Sequence, residues 1–571
     1  MGTKKQRFWM IAVLFGLLAI SVAPPLRAQD APPPDAHAQD VNVDQGQDQG
    51  QTQDPPSRVA RLDYMSGSVS FQPGGQGDWV TAVQNRPLTT GDNLWADKDS
   101  RGELQIGSTS IRLGSETSLT FLDLGDHSTQ LRLSLGALIV RVRHLDDEDH
   151  FEVDTPNVAF VIQRPGEYRL DVNADGTETD AVVWHGRGEA TGAGASYTVV
   201  AGQDARFTGT DQINHDIEQV PANDDLDTWA FSRDEKEDHT ESANYISTEM
   251  TGYEDLDEYG HWSYEGDYGP VWAPTVAAGW APYRFGHWVW VAPWGWTWVE
   301  DEPWGFAPFH YGRWAFIGAS WFWVPGPVVV RPVFAPALVA FVGGPHFGVG
   351  VGAGVAWFPL APREVFVPWY HVSRAYVTNV NVTNTRVSVT EVTNVYHPTT
   401  VNSSTHITYA NQRVASGVTA VSRETFANAR PVNANLVHVD EKQIANAPVE
   451  HNLSVKPEQA SMTGAGRPAS AHPPTAIENR SVVANRMPSA SHAMASVRSE
   501  PMRSEQASPR EGIGEMAHPV PHPSSRELVR PAPPVQENAQ RQQSEQQKFN
   551  RWEQNRPRTS PPRSGGHDGR K

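Results

Sequence analysis

Between Arg58 and about Gly209, apolar and polar residues alternate in short runs: SVSF (68–71), ELQIG (103–107), SIRLG (110–114), SLTFLDL (118–124), QLRLSLGALIVRV (130–142) and YRLDV (168–172). In LRLSL, Leu131, Leu133 and Leu135 fall on one face of an extended chain, and Arg132 and Ser134 on the other. A period of two predicts strands buried on one side. Many such strands between tight turns predict a sandwich or roll. Gly67, Gly91, Gly107, Gly114 and Gly136 punctuate the runs and read as turn and corner residues.

Farther along, Trp294, Trp296 and Trp298 alternate with Pro293, Gly295, Thr297 and Val299, which as a strand places three indoles on one face. This stretch belongs to a repeat. Gly-His-Trp at 260–262 and 286–288 and Gly-Arg-Trp at 312–314 are separated by a constant 26 residues. GWAPYRFGHW (279–288) aligns with GFAPFHYGRW (305–314) across that step, and VWAP (271–274), TWVE (297–300) and FWVP (322–325) continue it with one deletion. A step of this length predicts one small unit used several times, here a β-hairpin. A lone hairpin is barely stable in water, so large aromatic rings supply the area from which thin units build a core. Of the chain's 20 Trp, 14 lie between Trp262 and Trp369.

The remaining segments are read by composition. Residues 29–57 have almost no large apolar groups and are expected to be a disordered linker, and 211–258 an acidic, solvated one. Residues 325–362 are apolar but rich in Pro and Gly, which suits strands or loops closing the aromatic block, with peripheral membrane contact as a lesser alternative. Residues 371–435, with VTN three times over, predict a Val/Thr/Asn-rich β extension. Residues 436–571 read as a disordered Pro/Ser/Gln/Arg-rich tail, apart from transient helix around Gln540–Asn555.

Composition narrows the function. Mean hydropathy is -0.49 and hydrophobic residues are 38%, so much of the length is expected to pack no core. A formal charge of -20 disfavours nucleic acid, whose phosphates need a basic surface. With no Cys there is no disulfide, thiolate metal site or cysteine nucleophile. At the N-terminus Lys4, Lys5 and Arg7 precede an apolar run, Phe8–Ala23, which is shorter than the ~20 residues that span a bilayer. Ala28 offers a cleavage point, so residues 1–28 are expected to be a signal peptide and the protein to be exported to the periplasm or cell envelope.

Two resemblances follow. GSVS (67–70), PLTTGD (87–92), SRGELQIGSTSIRLG (100–114), LSLGALIVRV (133–142), FEVDTPNVAF (151–160) and AGQDARF (201–207) resemble the FecR domain over residues 58–210. That resemblance implies an all-β, jelly-roll-like module outside the cytoplasmic membrane, which in its best-known members relays an outer-membrane receptor's state to a sigma-factor regulator. Only about seven residues precede the apolar run here, so the expectation is an exported module without the cytoplasmic half of that relay. GWAPYRFGHW, GWTWVEDEPWGFAPFHYGRW, WVPG and WFPLAPRE, within 259–370, resemble a Trp- and Pro-rich bacterial family of unknown function often found downstream of FecR-like domains. The expected fold class is therefore mainly β: a jelly-roll or sandwich-like FecR domain and a Trp-rich hairpin module, with long disordered linkers and tail.

The candidate site is an aromatic binding platform of Trp288, Trp290, Trp294, Trp296, Trp298, Trp304, Trp314, Trp321 and Trp323, set against the simpler reading that these rings are core. Exposed indoles would stack on a glycan or grip a protein. His261 and His287 are poor metal candidates because the third equivalent position is Arg313. Glu300, Asp301 and Glu302 beside Trp304 are the nearest approach to a glycosidase pair, but they are consecutive on a turn. No catalytic set, cofactor or metal is expected. The favoured function is a non-catalytic envelope protein that scaffolds or binds an envelope polymer or protein. The alternatives are an envelope sensor partnering an outer-membrane receptor and a hydrolase of envelope polymer. Oligomeric state has no signature in the sequence.

Overall fold

A computed structural model describes residues 53–489, apart from 75–76, 329–330, 344–353, 397–406, 415, 440–443, 445–446, 452 and 465, together with 528–533 and residue 547. The expected signal peptide, most of the 29–57 linker and nearly all of the Gln540–Asn555 stretch lie outside the described residues.

From Ala60 to Gln219, seventeen strands form two sheets joined through one long strand, Ser128–Val142. Its first half pairs with Thr117–Leu124 and, in parallel, with His150–Asp154. Its second half pairs with Thr109–Leu113 and Gly166–Val172 in the other sheet. The crossing occurs at Gly136, whose φ is +94° and where a Cβ would stand 2.6 Å from the Thr117 backbone. Leu131 and Leu133 from one half and Leu138 and Val140 from the other enter a shared core with Phe71, Phe121, Phe160 and Phe207. This is the sandwich the alternation predicts.

The alternation misleads in one respect: both faces are covered. Arg112 and Arg132, on the polar face of their strands, are as buried as their leucine neighbours. Residues 211–258, expected as a solvated linker, supply the lid on one sheet. Asp224 caps the helix Asp225–Asp238 by accepting from the Leu226 and Asp227 amides, and the capping box closes with the Asp227 side chain. This helix lies on the sheet through charged contacts of Asp234 and Glu237 together with aromatic ones, Trp229 on Tyr64 and Phe231 on Trp184. Gly114, read as a turn glycine, is there for that approach: a Cβ would meet Leu226 at 2.9 Å.

The three repeat units are hairpins: Gly260–Glu265 with Gly269–Pro274, Gly286–Val291 with Gly295–Glu300, and Arg313–Ile317 with Ser320–Val324. Each unit opposes two indoles at the equivalent place, Trp262 to Trp272, Trp288 to Trp298 and Trp314 to Trp323. The first and third hairpins join at Trp272 and Trp323 into a four-stranded sheet, and the second forms its own two-stranded sheet. Strands Val339–Val342 and Gly354–Pro359 follow, pairing with Val449–Glu450 and Thr419–Ser422 respectively.

Two expectations about the later chain fail. The stretch 371–435, expected as β extension, contains the helices Arg374–Val382 and Val389–Val395. Ser373 and Ser388 cap them, and Tyr376, Val377, Val380 and Asn381 form one buried face. Caps and burial on a helical period override β propensity here. Part of the tail expected to be disordered, residues 466–486, packs on the outer face of the second sandwich sheet. Ser70 donates to the Ala471 carbonyl, Arg132 to that of Glu478, and Arg480 to that of Ser134. Val482–Ala484 pairs in parallel with Val529–Pro531. The polar face of the sheet gives this apolar-poor segment its hydrogen-bond partners.

Candidate functional site

The nine indoles proposed as a platform do not form one. Trp288, Trp294, Trp296, Trp298, Trp304, Trp314, Trp321 and Trp323 are buried, and Trp290 alone is partly exposed. The simple alternation of a hairpin puts rings on both faces, but helices, loops and the strands Val339–Val342 and Gly354–Pro359 cover both. Trp288 illustrates the packing, with Trp298, Trp357 and Phe426 rings at 5.5, 5.4 and 5.1 Å. Most of the buried indole N–H groups are satisfied internally. Trp272 donates to the Leu256 carbonyl, Trp314 to Pro308, Trp323 to Tyr311, Trp296 to Val455 and Trp357 to Tyr283. Trp294 donates to the Tyr376 hydroxyl at 3.2 Å.

Glu300, expected on a solvated turn, is fully buried at the end of the second hairpin. Trp298 Nε1 donates to its Oε2 at 2.8 Å. Burial holds its carboxyl well above the ordinary range, and the Trp298 bond offsets this only in part. Asp301 is exposed and Glu302 half-buried, so the three carboxylates occupy three environments rather than flanking a cleft. His261 is exposed, His287 stands 3.5 Å from Asp301, and Arg313 is buried, donating to the Glu364 carbonyl and Asn381. They make no common site. Among the described residues no group of His, Asp and Glu has metal-holding geometry.

The densest polar chemistry is a buried ionic seam that sequence reasoning missed. Arg112 donates to Glu103 at 2.7 Å, Asp234 at 3.0 Å and Glu237 at 3.1 Å. Arg143 meets Asp234 and Glu237 at 3.0 Å each, and Arg233 reaches Glu103 at 2.6 Å and Asp63 at 2.7 Å. Arg61 continues the seam to Asp63 and Asp255, then crosses to the aromatic module by donating to the Pro303 carbonyl at 2.7 Å. Asn85 reinforces the crossing by donating to the carbonyls of Glu300 and Glu302. Carboxylates outnumber arginines, and the proton affinities reflect it. Burial together with neighbouring Glu103 pushes Glu237 up to about 7. Burial and Asp234 push Glu167 up to about 8. Glu103 feels the same burial, yet Arg112 and Arg233 outweigh it and hold its carboxyl low. The signal for the seam lay in Arg112, set within the strand-period run SIRLG, which needs buried partners if both faces are covered.

A cleft of about 550 Å³ opens where the sandwich meets the Ala292–Pro293 turn, lined by Asp54, Arg58, Thr89, Thr90, Asp123 and His127 among others. Its acids are largely engaged: Asp54 accepts from Ser373, Asp123 from Ser128 and Asp126 from Ser57.

No curated protein matches the chain. Two solved structures of a protein assigned as an anti-sigma factor from Parabacteroides distasonis, at 2.50 and 1.65 Å resolution, each align at 11% identity with a TM-score of 0.21. The alignment covers 23% of this chain and 60% of that one. The aromatic module gives a family match: residues 253–364, spanning all three hairpins, are similar to the Family of unknown function (DUF6600).

Proposed function

We propose that this chain is an exported, non-catalytic cell-envelope protein in which a FecR-like sandwich and an aromatic hairpin module are locked as one body that scaffolds or binds an envelope protein. The observation that carries this reading is the allocation of the indoles to the core, together with the Arg61–Asp255–Pro303 joint that ties the module to the sandwich. Rings shielded from solvent cannot stack on a glycan, so a protein partner is favoured over a polymer. Export is supported by the basic and apolar N-terminal pattern of residues 1–28.

Cell fractionation with N-terminal sequencing tests the location. A processed chain beginning near Gln29 in the periplasmic or envelope fraction is expected, and an unprocessed chain in the cytosol would sink the reading. Retention on purified peptidoglycan would replace the protein partner with a polymer. A second reading, a sensor contacting an outer-membrane receptor, is favoured by the FecR-like motifs. It predicts co-purification with such a receptor.

A further inference from the structure

We propose that the outer margin of the strand Gly260–Glu265 is a docking site for an extended, basic segment of a partner protein, which adds to the sheet as a further strand. The inference rests on the scaffolding reading and gives it a surface.

The phase of the first hairpin fixes which backbone groups face outward. Tyr264 is paired with Pro270, and Gly260 with Pro274. Proline has no N–H, so these are non-hydrogen-bonded pairs. Thr275 N donating to the Tyr259 carbonyl at 2.7 Å sets the same phase from the other end. The N–H and C=O of Trp262 and Tyr264 therefore point away from the hairpin, and this strand stands at the end of its four-stranded sheet.

The repeat tells what such a margin needs. In the second unit the equivalent of Gly260, Gly286, accepts from Val432 N at 2.8 Å. In the third, Trp314 N donates to the Leu360 carbonyl at 3.1 Å and Gly312 N to Asn384 at 3.1 Å. Two units have their margins covered by the chain itself. Among the described residues nothing reaches the backbone of Trp262 or Tyr264 from outside the hairpin.

The surroundings define the partner. Tyr264 is 77% exposed, and Tyr245 stacks on Trp262 with centroids 4.6 Å apart, so one face beside the margin is aromatic. Glu241 accepts from the Tyr245 hydroxyl and Asp257 from Ser242, the acceptor of Trp262 Nε1, while Glu258 lies just before the strand and Glu265 and Asp267 at its end. Lys236 is held by Glu258 at 2.8 Å, while Arg363 and Arg386 stand only at the Asp267–Gly269 turn. Two copies meeting edge to edge would oppose their carboxylates. A segment with Lys or Arg on one face and apolar residues on the other satisfies the edge, the rings and the charge together.

The test uses the purified full-length chain and a fluorescein-labelled alternating Lys-Val peptide, read by fluorescence anisotropy. Controls are the same peptide N-methylated at alternate residues and an alternating Glu-Val peptide. We expect binding of the first probe only, about tenfold weaker for Tyr264→Pro, which removes one outward N–H and leaves the hairpin ladder intact. Circular dichroism checks the variant's fold, and the N-methylated probe on the unchanged protein carries the test if that variant misfolds. Equal binding of the methylated or acidic peptide, no binding of any, or a dimer by sedimentation that Tyr264→Pro dissolves would overturn the proposal. Each is independent of where the cell keeps the protein, so failure here and failure of the export reading are separable.

Discussion

Replacing Arg112 with Met tests whether the ionic seam holds the sandwich to its helix. The guanidinium is fully buried and bridges Glu103, Asp234 and Glu237. Breaking a buried pair from one side costs about 3–5 kcal/mol, because a charge is left without compensation. The structure places the cost at the lower end. Glu103 keeps Arg233 at 2.6 Å, and Asp234 and Glu237 keep Arg143 at 3.0 Å, so three carboxylates share two arginines. Met fills most of the vacated volume, which keeps the cavity contribution small. A loss of about 3 kcal/mol is expected near pH 8. It shrinks toward about pH 5, because protonating Glu237, whose carboxyl already sits at about 7, removes one of the stranded charges. Urea titration at the two pH values, with hydrogen exchange of Asp225–Asp238 as the local readout, measures it. A loss below about 1 kcal/mol near pH 8, the scale of an exposed pair, or a loss unchanged by pH, would refute the account.

The unaltered protein has its own pH dependence. Glu237 and Glu167, raised to about 7 and about 8, contribute stability that is complete below the ordinary carboxylate range and lost as pH rises through those values. Asp149, whose burial raises its carboxyl but whose bond to Arg331 outweighs that and holds it at about 2, acts oppositely and loses its contribution only in strong acid. The melting temperature should therefore fall from about pH 5 to about pH 8.5, and Glu237→Gln should flatten the slope. Trp298→Phe should cost about 2–4 kcal/mol by leaving space and an unpaired Glu300 oxygen, against under about 1 for partly exposed Trp290, both read by denaturant midpoint. Gly312→Ala should lower stability by about 2 kcal/mol or more, since φ is +68° and the new Cβ would lie 2.4 Å from Trp323 Nε1; a melting shift of less than a degree would count against it.

The sandwich and the hairpins were legible because their signals are local. The period of two in 130–142 and the 26-residue step depend only on neighbours, and the strands they predict are where they should be. The acidic segment was illegible for the opposite reason. Asp234 and Glu237 look solvated beside one another, and Arg112, which pairs with both, stands 122 and 125 residues away along the chain. The VTN stretch failed because a Ser cap and a buried helical face outweigh the preference of Val and Thr for strands. Exposure of the indoles was undecided by alternation, since a hairpin always offers two faces and only tertiary covering decides which see water. The exposed aromatic margin at Trp262 and Tyr264 is visible only when three equivalent strands are compared in space.

The segment 466–486 lies against a sheet made some 300 residues earlier, with Arg132 reaching Glu478 across 346 positions. A ribosome finishing this sheet has yet to make its cover. Arg132 and Gln130 hold Thr120 and Asp154 within the sheet, but the carbonyls of Glu478, Ala471 and Arg486 reach Arg132, Ser70 and Gln130 only when the tail arrives, so final closure is among the last events of folding. Deleting the end of the chain would unroof its beginning.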